Sequence, residues 1–310
     1  MTQQRKNIFL LVSLVVLVVL CVVAANYYPY KKTSSITQKD VFAIANPAER
    51  LTKVVINGPD VSNTLELKNA AWSVNNKYKL DPAMQQVLMA LLERVEVQRE
   101  ISGDLKKEII QIAADTGIQV QIYADKQQLR DFKVVGNPSQ IASYFVNNDK
   151  VYQMQLPGYE SYVAGMFEVK TLDWRDRTIF NGTWQDIVSL TLECPDGDSL
   201  IFKYDKGLIK LQNRANTDSV KVMDYIETYN YFFVDQFLPE NHEAVQMVSE
   251  FASAGKIRIQ ALDKNRNLKL DFFSHPNFNA ILVKINDREW AGIQKARYNK
   301  YFPNSVQFLK

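Results

Sequence analysis

The sequence predicts an α+β chain: an N-terminal transmembrane helix, then a tandem duplication of modules, each an antiparallel sheet with two helices. Three observations carry this. An uncharged apolar run stands near the N-terminus, extended segments cluster instead of alternating with helices, and the same order of elements occurs twice.

The run at 8–25, IFLLVSLVVLVVLCVVAA, holds eighteen uncharged residues behind Arg5 and Lys6. At about 1.5 Å per residue such a helix rises roughly 27 Å, close to the hydrocarbon thickness of a bilayer. Tyr27, Tyr28 and Tyr30 with Lys31-Lys32 supply an interfacial anchor behind it. A retained anchor is the expectation; a cleaved signal, with small residues at Val23-Ala24-Ala25, is the competing reading. Leu20 stands where a lipoprotein signal needs a small residue, which disfavours lipid on Cys21. The basic tail at 1–7 points inward and everything after Tyr30 outward. Cys21 and Cys194 cannot form an intradomain disulfide, so cysteine usage allows either compartment.

Beyond residue 30 about 280 residues remain, enough for two cores. Lys and Arg are spread among Asp and Glu at a net charge of +3, whereas a nucleic-acid binder would show a concentrated basic stripe. The expected organisation is a tail at 1–7, an anchor at 8–25, a stalk and first extended segment at 26–50, a first module with a connecting segment at 51–182, and a second module at 183–310.

Within the modules, the segment from Val54 resembles that from Leu190: two alternating apolar runs around Pro59-Asp60 and Pro195-Asp196, a hairpin signal. A third extended run follows, with Trp72 opposite Leu208. Asp81-Pro82 then caps a helix with Met84, Val87, Leu88 and Leu91 on one face; Asp218 caps its counterpart, with Val222, Met223, Ile226 and Tyr229. Second helices are expected over 104–116 and 240–254, ended by Gly117 and Gly255. The meanders at 118–138 and 257–276 match most closely, and Asn148-Asp149 and Asn286-Asp287 mark the same late turn. At most landmarks the offset stays between 136 and 138 residues.

The anchor, the Trp72 strand leading into the Asp81-Pro82 helix, and Trp174-Arg175-Asp176-Arg177-Thr178-Ile179-Phe180 before a strand at 186–193 resemble the domain of unknown function 4340 family of membrane-anchored bacterial proteins. The resemblance covers roughly 51–238, and Thr116-Gly117-Ile118 lacks the proline common in that family before the first meander. It implies a single-pass protein of the bacterial inner membrane with its C-terminal part in the periplasm. It also implies an accessory role beside ABC-type transporters related to those of gliding motility. It carries over no catalytic residue.

The sequence offers little chemistry. His242 and His275 lack metal-ligand spacing, and Asp263-Lys264-Asn265-Arg266-Asn267 has Leu268 where a calcium loop needs glycine. Asp196-Gly197-Asp198 reads as a turn, and there is neither a phosphate loop nor a nucleophile elbow. No catalytic, cofactor or metal residue is therefore assigned. Two surfaces are candidates for interaction: Trp174, Arg175 and Arg177, for which the alternative is a capped turn with Trp174 in the core, and Arg297, Tyr298, Lys300 and Tyr301, for which it is a solvated helix face. The expected function is a membrane-anchored module that binds envelope or transporter proteins through sheet edges and loops. The alternative is an envelope hydrolase whose carboxylates assemble only in three dimensions.

If the anchor is retained, the protein stays in the membrane fraction through high-salt and carbonate washes, because salt does not screen apolar burial. Recovery in the soluble fraction with a mature N-terminus at Asn26 would show a cleaved signal instead.

Overall fold

Hairpin turns decide where the strands of this chain reverse, and several are built from paired residues with positive φ. Asn69-Ala70 (51° and 61°), Asn148-Asp149 (47° and 60°) and Lys206-Gly207 (49° and 91°) each join two strands in this way, as the right-handed twist of a two-residue hairpin requires. The computed structural model describes residues 41–158, 162–248, 251–274 and 279–310. The apolar run at 8–25 and His275 lie outside these residues. Among the described residues no helix is long and apolar enough to cross a membrane.

The first half runs α1 (Pro47–Arg50), β1 (Lys53–Asn57), β2 (Ser62–Lys68), β3 (Ala71–Val74), β4 (Tyr78–Lys79), α2 (Pro82–Arg94), β5 (Glu96–Ile101), α3 (Gly103–Asp115), then the meander β6 (Ile118–Ala124), β7 (Gln127–Gly136), β8 (Ser143–Asn147) and β9 (Lys150–Gln155). After β10 (Thr178–Asn181) the second half runs β11 (Ile187–Glu193), β12 (Ser199–Asp205), β13 (Leu208–Leu211), α4 (Ser219–Glu227), β14 (Tyr231–Phe233), β15 (Gln236–Leu238) and α5 (Glu243–Val248). It ends with β16 (Gly255–Ala261), β17 (Leu268–Phe273), β18 (Ala280–Ile285), β19 (Glu289–Gln294) and α6 (Lys295–Tyr301). The architecture is α+β with mostly antiparallel sheets.

The nine-stranded sheet has the order β4-β3-β2-β1-β6-β7-β8-β9-β5, and the eight-stranded sheet β13-β12-β11-β16-β17-β18-β19-β15. Apart from β4, each strand of the first sheet has a counterpart in the same place in the second. Local contacts repeat as well. Asn75 N–H donates to Thr64 O (2.8 Å), while its side chain accepts from Thr64 N–H (2.7 Å). In the second half Gln212 supplies the backbone bond to Ile201 O (2.8 Å) and Asn213 the side-chain acceptor for Ile201 N–H (3.2 Å).

The repeat also reaches further than the sequence indicates. In the first half Asp81 N–H donates to Trp174 O (2.9 Å) and Asp176 N–H to Lys79 O (2.8 Å), around a Leu80–Arg175 bridge. In the second half Asp218 N–H donates to Phe308 O (2.8 Å) and Lys310 N–H to Asn216 O (3.0 Å), around a Thr217–Leu309 bridge. Both clasps follow a 3-10 turn, at Thr171–Asp173 and Ser305–Phe308, and both bury a large aromatic, Trp174 and Phe308. Residues 163–176 are thus the counterpart of 295–310, and this stretch of the expected connecting segment completes the first half as 295–310 completes the second.

The chain forms two compact units. Of the described residues, the first contains 41–50, Leu88–Val120 and Gln128–Phe167. Its core is aromatic: Phe42 meets Phe132 and Phe145 edge-on at 5.1 Å each, which packs the described end of the expected stalk into the unit. A second cluster, Ile101, Ile109, Ala113, Val135 and Val151, lies under α3. The second unit contains Leu51–Val87, Gln121–Gln127 and Glu168–Lys310. Its core gathers Leu190, Phe202, Ile209, Ile226, Phe272 and Phe308, and a smaller cluster of Leu238, Val245, Val248, Leu282 and Trp290 lies under α5. Each fully buried side chain of this size contributes roughly 1.5–3 kcal/mol.

Several expectations need correction. α2 buries Leu88 and Leu91 as expected, but Val87 is 54 % exposed and Met89 and Leu92 are buried in addition, so the apolar stripe turns away from Val87. The counterpart of Trp72 is Ile209, because Ala71 and Leu208 both close two-residue turns, with Lys68 and Asp205. α5 runs Glu243–Val248, and Gly255 opens β16 rather than ending a helix; a Cβ there would sit 2.8 Å from the Phe302 ring. The C-terminal candidates 297–301 do lie on a helix, α6, and the strand β19 (Glu289–Gln294) leads directly into it.

The β2–β3 and β12–β13 turns yield a paired prediction. Ala70 holds a positive φ where its counterpart is Gly207, whose Cβ position is free of contacts. Ala70→Gly should stabilise the protein by about 1 kcal/mol and Gly207→Ala destabilise it by about as much. Chemical denaturation checks both.

Candidate functional site: the clasp at 174–177

The clasp of the first half holds the sequence Trp-Arg-Asp-Arg, and backbone pairing with 79–81 sends its four side chains to four destinations. Trp174 is fully buried, and its Nε1 has no hydrogen-bond partner among the described residues. Arg175 reaches Glu289 in a two-pronged pair, Nη1–Oε1 and Nη2–Oε2 both 2.8 Å. Its guanidinium lies 3.5 Å from the Phe237 ring centroid and 4.4 Å from that of Tyr78. With the Arg175 side chain 16 % exposed and that of Glu289 38 %, this pair is only partly screened. A charged hydrogen-bonded pair of this kind is worth about 1.5–3 kcal/mol at most.

Asp176 turns to the other side. It accepts from Lys79 Nζ (2.8 Å) and Thr178 N–H (3.0 Å). Burial works against its ionisation, but these hydrogen bonds outweigh it and hold the carboxyl below its ordinary range. Arg177 donates from Nε to Asp81 Oδ2 (3.2 Å). Asp81 is 6 % exposed and caps α2 through Oδ1, which accepts from Ala83 N–H (2.8 Å) and Met84 N–H (3.3 Å). One carboxylate thereby caps a helix and holds an arginine.

The C-terminal candidates divide. Tyr298 and Tyr301 are 8 % and 4 % exposed, so neither offers a free surface. On α6 they stand three apart on the face that meets Phe272, Phe302 and Phe232. Burial raises both hydroxyls to about 12. Arg297 pairs with Asp235 (3.0 Å) and lies over Phe233 (4.0 Å), while Lys300 is exposed. Residue 235 also receives Arg177, whose Nη1 donates to Asp235 O (3.3 Å), so two of the candidate arginines meet there. Glu289, the partner of Arg175, opens β19, the strand that leads into α6.

Beside the Arg175–Glu289 pair is an open pocket of about 330 Å³, lined in part by Lys77, Tyr78, Phe237, Glu240, Arg288 and Trp290. Aromatic faces and both signs of charge suit it to side chains of a partner more than to a reacting group. The remaining reactive residues have structural surroundings. The Cys194 thiol is pushed up to about 11 by burial, with Asp196 and Asp198 adding to the effect. His242 Nδ1 accepts from Ala244 N–H (3.2 Å) at the start of α5. The Asp263 and Asp196 side chains each accept a backbone N–H two residues on, within their hairpin turns. Among the described residues no group of three His, Cys, Asp or Glu could hold a metal ion.

No family model, curated protein or solved structure matches this chain.

Asp176 gives a pH prediction. Its folded value lies below the unfolded one, so its stabilisation is present above the unfolded pKa and lost as pH falls through the folded value. Asp176→Asn should lower the melting temperature near neutral pH, and the gap to wild type should close below about pH 4. Melting curves across that range check it.

Proposed function

We propose that this chain is a membrane-anchored extracytoplasmic interaction module, an accessory component of an ABC-type transporter, built by tandem duplication and acting by recognition without covalent chemistry. The observation that carries the reading is β13, the last strand of its sheet, which pairs with no further strand among the described residues and turns Leu208 and Lys210 outward. Leu208 pairs with Asp205 across a two-residue turn, so Ile209 and Leu211 turn their backbone N–H and C=O groups away from β12. At the same place in the first half β4 covers β3: Val74 pairs with Tyr78, and Trp72 O accepts from Leu80 N–H (3.0 Å). Thr217, the counterpart of Leu80, bridges to Leu309 as Leu80 bridges to Arg175, with no counterpart of β4 before it among the described residues. An extended partner segment can lie on the outer face of β13, where Leu208 (41 % exposed) and Lys210 read it, while Ile209 and Leu211 stay covered. The run at 8–25 supports the anchor, and the resemblance to the domain of unknown function 4340 family supports the transporter setting.

A photo-cross-linking residue placed at Leu208 or Lys210 in the native host should trap a transporter subunit in the membrane fraction, while the same residue at exposed Lys107 traps none. Equal capture from all three positions, or none from β13, would contradict this reading.

A further inference from the structure

Arg130, in the first unit, meets no carboxylate among the described residues. Its Nη2 donates to Ala43 O (2.6 Å) and its Nη1 to Leu129 O (2.9 Å), both neutral carbonyls, and its Nε is buried without a partner among the described residues. Arg50 stands in the same pocket and, among the described residues, reaches only Ala45 O, at 3.4 Å. Among the described residues the ion pairs involve neither arginine. Burial first, and then the Arg50 charge, pull the Arg130 pKa below an arginine's ordinary value. The pocket they line has a volume of about 520 Å³, and its wall is completed by Ala43–Asn46, Leu129 and Glu93. Two arginines against one carboxylate leave it net positive.

We propose that this pocket binds an oxyanion of the phosphate class between the Arg50 and Arg130 guanidiniums. A planar guanidinium presents paired donors that match two oxygens of a phosphate, and a partly buried site screens the attraction less than open water does. A bound oxyanion supplies the counter-charge that both arginines lack and relieves the repulsion between them. Glu93 sets the selectivity, since it repels a ligand that fills the pocket with negative charge beyond the two arginines. The pocket wall at 43–46 follows the stretch between the apolar run and the first unit, so either a free phosphate or a lipid headgroup can supply the anion. The headgroup source rests on the anchor reading.

The test is the thermal stability and phosphate affinity of the full chain in inorganic phosphate against chloride at matched ionic strength. A second arm uses vesicles of phosphatidylglycerol against phosphatidylcholine. Phosphate should stabilise the wild type and Lys107→Ala alike, and both Arg50→Ala and Arg130→Gln should weaken phosphate binding at least about tenfold. Arg50 is exposed, so Arg50→Ala carries the test if Arg130→Gln fails to fold. An Arg50-dependent response to phosphate alone supports a free anion; one that extends to phosphatidylglycerol supports a headgroup. A response to phosphate without one to vesicles leaves the site standing and counts only against the headgroup source. No response to phosphate beyond chloride, or a response unchanged by Arg50→Ala, overturns the proposal.

Discussion

Two amide groups close the two halves of this protein. The N–H of Asp81 and the N–H of Asp218 would each be an unsatisfied donor at the start of a helix, and each is taken by a carbonyl from much later in the chain, Trp174 and Phe308. The same two residues accept from the first turn of α2 and α4 through their side chains. A long-range clasp is thereby fixed to a local cap, and the aromatic residue that supplies each carbonyl is buried. Breaking the Asp81 bond would leave a buried donor and a buried carbonyl without partners, a cost of about 1–3 kcal/mol each, and breaking the Asp218 bond would strand the carbonyl of buried Phe308.

The charges around the first clasp follow from this constraint. Once the backbone of 174–176 lies beside 79–81, Asp176 stands near Lys79, Arg177 near Asp81, and Arg175 between Tyr78 and Phe237, facing Glu289. Three charges in a row in the sequence are therefore satisfied by three partners inside the same compact unit. The second clasp has Phe-Leu-Lys in place of Trp-Arg-Asp and makes the same backbone bonds. Its charge pattern is different because backbone pairing asks nothing of the side chains beyond the buried aromatic.

That difference explains what could be read from the sequence. Hairpins, caps and the meander were legible because turns and helix starts demand particular residue types: Pro59-Asp60, Asp81-Pro82, Asp218 and Asn148-Asp149 all stand where their chemistry indicates. Backbone pairing leaves no such mark, so the kinship of 174–176 with 308–310 was hidden. The candidate arginines were legible as charges but not as pairs, because Glu289 and Asp81 are distant in sequence. Tyr298 and Tyr301 suggested a surface, yet their spacing of three along α6 serves the core equally well. The pair Arg50 and Arg130 carried no sequence signal, since only the fold brings them into one pocket.

The account stands on the two clasps being equivalent and each being a fixed part of its half. Residue-resolved native-state hydrogen exchange of the Asp81 and Asp218 amides tests this most directly. Both should be protected nearly as well as the central strands β1 and β11, because each is bonded to a buried carbonyl and opens only when its sheet does. Exchange of either amide at the rate of an open loop, while β1 and β11 remain protected, would contradict the account.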